Sequence, residues 1–205
     1  MLNQALRQLP LVAILRGIQP EEVEAIADIL YIEGFRIIEV PLNSPQALDS
    51  IARLARRMPG DALIGAGTVL SADAVRDVQV AGGRLIVMPH ADAAVIRVAK
   101  ARGLACVPGA ATPTEAFAAL QAGADALKLF PAELVTPAVV KAMRAVLPRE
   151  TALLPVGGIT PETMAPYQRA GAAGFGLGSA LYAPGMTAAT VGERARAFVE
   201  AWHAL

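Results

Sequence analysis

The sequence predicts a single-domain (β/α)8 barrel over residues 1–205. Three observations carry that expectation: short apolar runs of strand length, helix-period segments alternating with them, and a spacing of roughly 25 residues per unit. A short amphipathic helix bearing Leu2, Leu6 and Leu9 leads into the first run, LVAIL (11–15). PEEVEAIADILYIEG (20–34) has helical periodicity, and IIEV (37–40) and ALIGAG (62–67) are the second and third runs. SADAVRDVQVAGG (71–83) is helical, followed by the runs LIVM (85–88) and LACV (104–107). TPTEAFAALQAGA (112–124) precedes ALKL (126–129), ALLPV (152–156) is the seventh run, and TPETMAPYQRAGA (160–172) separates it from GFGLG (174–178). Near-continuous apolar strands are buried on both faces, and short βα connections make the sheet parallel. The helical segments open on Ser, Thr or Pro and mostly close on Gly, as helix ends require. A doubly wound sheet of six or seven strands is the competing architecture, but eight units fit a barrel better.

Composition narrows the class. The hydrophobic share of 55% and mean hydropathy of +0.47 look almost membranous, yet 43 of the residues are Ala. The longest uncharged stretch, Ala170 to Gly192, contains six Gly and Pro184 and is expected to be loop and strand, not a span. Eighteen basic and eighteen acidic residues cancel, which leaves no basic stripe for nucleic acid. The first ten residues lack a charged segment followed by a long apolar one, and Cys106 is the only cysteine. Both features lead to the expectation of a cytoplasmic protein without disulfides. With His90 and His203 the only histidines, no metal site and no cofactor are expected. Charged residues are only 18% of the chain, a low share that suits a surface partly covered by sister subunits.

In a barrel, chemistry lies at the C-terminal ends of the strands, so polar residues inside apolar runs are the candidates. Lys128 sits in ALKLF, in a chain with three Lys against fifteen Arg. An amine can lose its proton and form an imine, which a guanidinium cannot. The competing reading is a lysine paired with a buried carboxylate for stability alone. Glu39, in IIEVP, is the one acidic residue flanked on both sides by strand-type apolar residues. Glu39 belongs to the second run and Lys128 to the sixth, so a closed barrel makes them face each other across its axis. Burial and mutual attraction act oppositely on both groups, which leaves the direction of their pKa shifts open.

Two glycine pairs close the pattern: Val156-Gly157-Gly158 after the seventh run, and Gly176-Leu177-Gly178-Ser179 in the eighth. Loops in these places often cradle phosphate through backbone N–H groups, although tight turns also call for Gly. Arg16 ends the first run, where it suits a ligand carboxylate or phosphate, or an ion pair with a rim carboxylate. Thr68 follows Gly65-Ala66-Gly67 and offers a hydroxyl. Pro89 and Phe130 end the fourth and sixth runs as an apolar wall. His90 reads as a loop residue and Cys106 as a packed thiol.

The segments AILRG, IIEVPLNSP, IGAGTVL, PGAATPTEA, ALKLFPAE, VGGITPE and GLGSALY together resemble the class I aldolases that cleave 2-keto-3-deoxy-6-phosphosugar acids. The resemblance spans essentially the whole chain. It implies Lys128 as the imine-forming lysine and Glu39 as general acid and base. It further implies Arg16, Thr68, Gly157, Gly158, Gly178 and Ser179 as ligand contacts, no metal, and a homotrimer. The phosphogluconate-type members carry an Arg four residues after the Glu and a Thr before the Gly pair. Asn43 and Val156 stand there instead and point to the phosphogalactonate type. Within the family the alternative is a phosphogluconate-type or dual-specificity enzyme; outside it stand a phosphosugar isomerase or epimerase on the same barrel and a barrel that only senses a phosphorylated metabolite. Neither of the latter two uses an imine.

Overall fold

The computed structural model describes all 205 residues as alternating strands and helices of an α/β fold. Helix α1 (Leu2–Gln8) precedes β1 (Leu11–Ile14), α2 (Val23–Ile32), β2 (Ile37–Pro41), α3 (Ala47–Arg57), β3 (Leu63–Gly67), α4 (Ala72–Val80), β4 (Leu85–Val87) and α5 (Ala93–Ala101). The chain continues through β5 (Ala105–Val107), β6 (Gly109–Ala110), α6 (Pro113–Gln121), β7 (Leu127–Leu129), α7 (Pro137–Val146), β8 (Leu153–Pro155), α8 (Met164–Arg169), β9 (Phe175–Leu177) and α9 (Ala188–His203). All eight expected runs are strands. The fifth is β5, and beyond Pro108, which has no N–H to give to a ladder, the chain adds a short further strand, β6, in the other sheet. The segment expected as one helix at 160–172 begins instead with a 3-10 turn, Pro161–Thr163, before α8.

Every strand pairing is parallel. One sheet has six strands in the order β5-β4-β3-β2-β1-β9, and a second has three in the order β6-β7-β8. Contacts join the two sheets on both sides. Val156 bridges Gly176, and Ala173 N–H donates to the Leu153 carbonyl at 2.9 Å. On the far side Lys128 N–H donates to Pro108 O at 2.9 Å and Asp125 N–H to Cys106 O at 3.0 Å.

Helix ends follow local chemistry. Thr112 and Glu115 form a reciprocal capping box at the start of α6, with Pro113 in the first turn, where its missing N–H costs nothing. Ser71, Asp92 and Thr187 cap α4, α5 and α9 with side-chain oxygens. Helix α2 buries Val23, Ile26, Ala27 and Leu30, the spacing of one helical face. Such residues build a large core between strands and helices. A second, smaller core of eleven residues lies inside the strands, among them Val12, Ile37, Leu63, Leu85, Val107 and Leu154. Leu2 and Ala5 of α1 complete it, so this helix covers the end of the interior opposite the strand tips. No helix is long and apolar enough to cross a membrane.

Candidate active site

Glu39 and Lys128 come from different sheets and line the same small interior cavity, which is otherwise walled mainly by Val12, Ile14, Ile37, Val87, Leu154 and Val156. Glu39 is 1% exposed and its Oε2 has no hydrogen-bond partner. Burial therefore dominates and raises its pKa to about 7, against the pull of Lys128 and Arg16. Lys128 is 5% exposed, and burial lowers its pKa despite the opposing attraction of Glu39, with the positive charge of Arg16 adding to the fall. Desolvation thus outweighs attraction for both groups, which settles the directions that letters leave open. The Lys128 Nζ lies 4.5 Å from the centroid of the Phe130 ring, two residues on along the same strand face.

The strand ends make room for the acid. A side chain on Gly67 would land on the Glu39 carboxylate, so any other residue at that position of β3 would have to push the carboxylate aside. Gly67→Ala is expected to destabilise the protein by about 1–3 kcal/mol through overpacking. It should also cut turnover by roughly a hundredfold by displacing the carboxylate. Denaturant titration and steady-state kinetics measure the two effects.

Ile14, Lys128 and Val156 also line a larger cavity of about 540 Å³ that opens outward. Its wall holds Arg16, Phe130, Gly157, Gly158, Gly178 and Ser179, so six of the expected contacts come together beside the lysine and Val156. Gly157 and Gly158 take φ values of 114° and 61°, a left-handed turn that glycine adopts without strain. The same turn packs against the Glu133 carboxylate. The N–H groups of Gly158, Ile159, Gly178, Ser179 and Ala180 donate to no acceptor in the protein, so this end of the cavity offers a group of open backbone donors. Arg16 is exposed, and its Nη1 donates to Asn43 Oδ1 at 2.6 Å. Beside it, Gly17 N–H donates to the Ser44 hydroxyl at 2.9 Å, which ties the β1 and β2 loops together.

Thr68 and Pro89, expected as contacts, line neither cavity. Thr68 has a left-handed φ of 54° just after β3, and Pro89 backs onto Gly109. Cys106 is fully buried with its thiol pushed up to about 12, and His90 is exposed. Sequence reasoning missed Gly67, the Asn43 brace on Arg16, and Arg194, which reaches the cavity from α9. The glycine had a signal, since it follows Glu39 one strand later near the same level. Arg194 had none, because it sits on an amphipathic helix beside a second arginine, Arg196.

A desolvated lysine facing a carboxylate inside parallel strands, below a cluster of open backbone donors, is the equipment of a carbon–carbon lyase that works through an amine. The family model for KDPG and KHG aldolase matches residues 2–192. The chain belongs to that family and is an aldolase of the metal-independent, lysine-dependent class. It is 47% identical over 195 residues to 2-dehydro-3-deoxy-6-phosphogalactonate aldolase of Escherichia coli (strain K12), covering 95% of each chain. A solved structure described as native KDPGal superposes with a TM-score of 0.94 at 47% identity, covering 96% of each chain. KDPG aldolase from Legionella pneumophila, solved with pyruvate captured as a covalent carbinolamine, has a TM-score of 0.81 at 25% identity, covering 100% of this chain and 97% of that one.

Proposed function

We propose that the protein cleaves 2-dehydro-3-deoxy-6-phosphogalactonate into pyruvate and D-glyceraldehyde 3-phosphate. The observation that carries this reading is the convergence of Lys128 and Glu39 on one apolar cavity that adjoins the donors of the glycine pairs. The carbinolamine held by the Legionella relative and the name of the Escherichia coli relative support the same chemistry.

The neutral Lys128 amine attacks the C2 ketone. The carbinolamine loses water to give a protonated imine, which draws electrons from the C3–C4 bond. The Glu39 carboxylate takes the proton of the C4 hydroxyl, through a water, and the bond breaks. Its electron pair enters the enamine of pyruvate while the phosphorylated aldehyde departs. Glu39, now protonated, supplies the proton to C3, and water hydrolyses the imine. A carboxyl with a pKa near 7 suits both halves of this exchange. The lowered pKa of Lys128 increases the fraction of free amine available for attack. No step calls for a metal or a cofactor. Arg16, Phe130 and Val156 bound the reacting carbons, while Gly157, Gly158, Gly178 and Ser179 receive the phosphate.

Residues 1–205 form one catalytic domain on this reading, and the hydrogen bonds across both seams of the two sheets support a closed (β/α)8 ring. Phe117, Leu134 and Val139 lie exposed on or between α6 and α7, apolar surface that suits burial in a homotrimer. A cytoplasmic location accords with the buried, unpaired Cys106.

Val156 favours the galactonate-derived substrate, since an apolar side chain at the cavity wall gives no hydrogen bond to a hydroxyl of the other C4 epimer. Kinetics with both epimers side by side test this. The wild type should prefer the galactonate form, and Val156→Thr should move the kcat/KM ratio toward the gluconate form by roughly tenfold. An unchanged ratio removes Val156 from the selection.

A further inference from the structure

The outer cavity has two guanidinium groups on its wall, and their surroundings differ. Arg16 comes from the end of β1 and is braced by Asn43. Arg194 comes from α9, and its Nη1 reaches the carbonyl oxygens of Ser179 at 3.2 Å and Ala180 at 3.4 Å. Those residues belong to the loop whose N–H groups face no acceptor. Arg194 forms no ion pair, whereas Arg36, Arg53, Arg57, Arg76 and Arg196 each have a carboxylate partner. Its Nε and Nη2 donate to nothing in the protein. A half-buried guanidinium with unused donors, on the wall of a cavity and next to open backbone N–H groups, is equipped to meet an anion with several oxygens.

We propose that Arg194 is the cation of the phosphate end of this cavity. By holding the phosphate it creates the preference for a phosphorylated over an unphosphorylated aldehyde, and it leaves Arg16, fixed by Asn43, to the carboxylate end. The assignment rests on the aldolase reading of the same cavity. It divides the work so that each anionic end of the substrate has its own guanidinium.

The test runs the reaction in the direction of addition, with pyruvate and either D-glyceraldehyde 3-phosphate or D-glyceraldehyde, on the wild type, Arg194→Gln and Arg194→Lys. Arg194→Gln should raise KM for the phosphorylated aldehyde at least about tenfold, with kcat little changed and kinetics with D-glyceraldehyde unaltered. Arg194→Lys keeps the charge and should recover part of the loss. Inorganic phosphate should inhibit the wild type more strongly than Arg194→Gln. Borohydride trapping of pyruvate should be equal in all three proteins. Equal losses with both aldehydes, or a loss of trapping, would reduce Arg194 to a prop for the Ser179–Ala180 loop and overturn the assignment. Unchanged kinetics overturn it too. A wild type that trapped pyruvate but did not prefer the phosphorylated aldehyde would refute the phosphate site itself, a separate failure from that of Arg194.

Discussion

Lys128→Met loses cleavage activity by on the order of 10⁴-fold or more, the scale seen when a covalent nucleophile is removed. In the wild type, borohydride added with pyruvate converts the imine to a stable secondary amine, and peptide mass analysis finds the adduct on Lys128. The variant shows no adduct. Lys100 and Lys141 are poor substitutes, because Lys100 is engaged by Asp125 at 2.6 Å and Lys141 lies on the outer surface of α7. An unmodified Lys128 in a protein that retains full cleavage would end the imine mechanism. Methionine is the informative replacement because it fills the space beside Phe130 without an amine.

Glu39→Gln separates imine formation from bond cleavage. The variant still traps pyruvate on Lys128, while turnover falls by about 10²–10⁴-fold, the usual share of a general acid and base. The same substitution has the opposite effect on stability at alkaline pH. The folded carboxyl has its pKa raised from 4.5 to about 7, so its contribution to stability is fully present below pH 4.5 and is lost as pH rises through 7. Above that point the buried charge costs about 3 kcal/mol, which an uncharged amide does not incur. Glu39→Gln should therefore melt several degrees above the wild type at pH 8.5 and close to it at pH 4.5. The wild-type kcat/KM should climb with pH until about 7, as Glu39 gains the carboxylate form. Identical melting curves at pH 8.5 would show that the acid is not held in a dry site.

Strands were the most legible part of the fold, because burial on both faces writes a run of apolar residues with little ambiguity. The break at Pro108 depends on a missing hydrogen-bond donor that periodicity does not register. Lys128 and Glu39 were readable for the same reason in reverse: a charge inside an apolar run is expensive and so conspicuous. Arg16, Phe130 and the two glycine pairs followed from their places at strand ends. Thr68 lines neither cavity, and its backbone takes the left-handed region, a local geometry that Gly65-Ala66-Gly67 ahead of it does not foretell. Arg194 was illegible because a helix approaches the cavity from the outer layer, and only tertiary packing decides which of its arginines arrives there.

The covering helix α1 has a kinetic meaning. Leu2 lines the inner end of the cavity around Lys128, and at its other end Ile14, Lys128 and Val156 are shared with the outer cavity, whose wall is the glycine-rich rim. The two products are then stacked in a queue. On the proposed mechanism the aldehyde, held toward the glycine-rich rim, goes first, while pyruvate, bonded to the lysine, waits behind it. The proposed covalent bond to Lys128 thereby sets an order of release, aldehyde before pyruvate, and in reverse an order of binding.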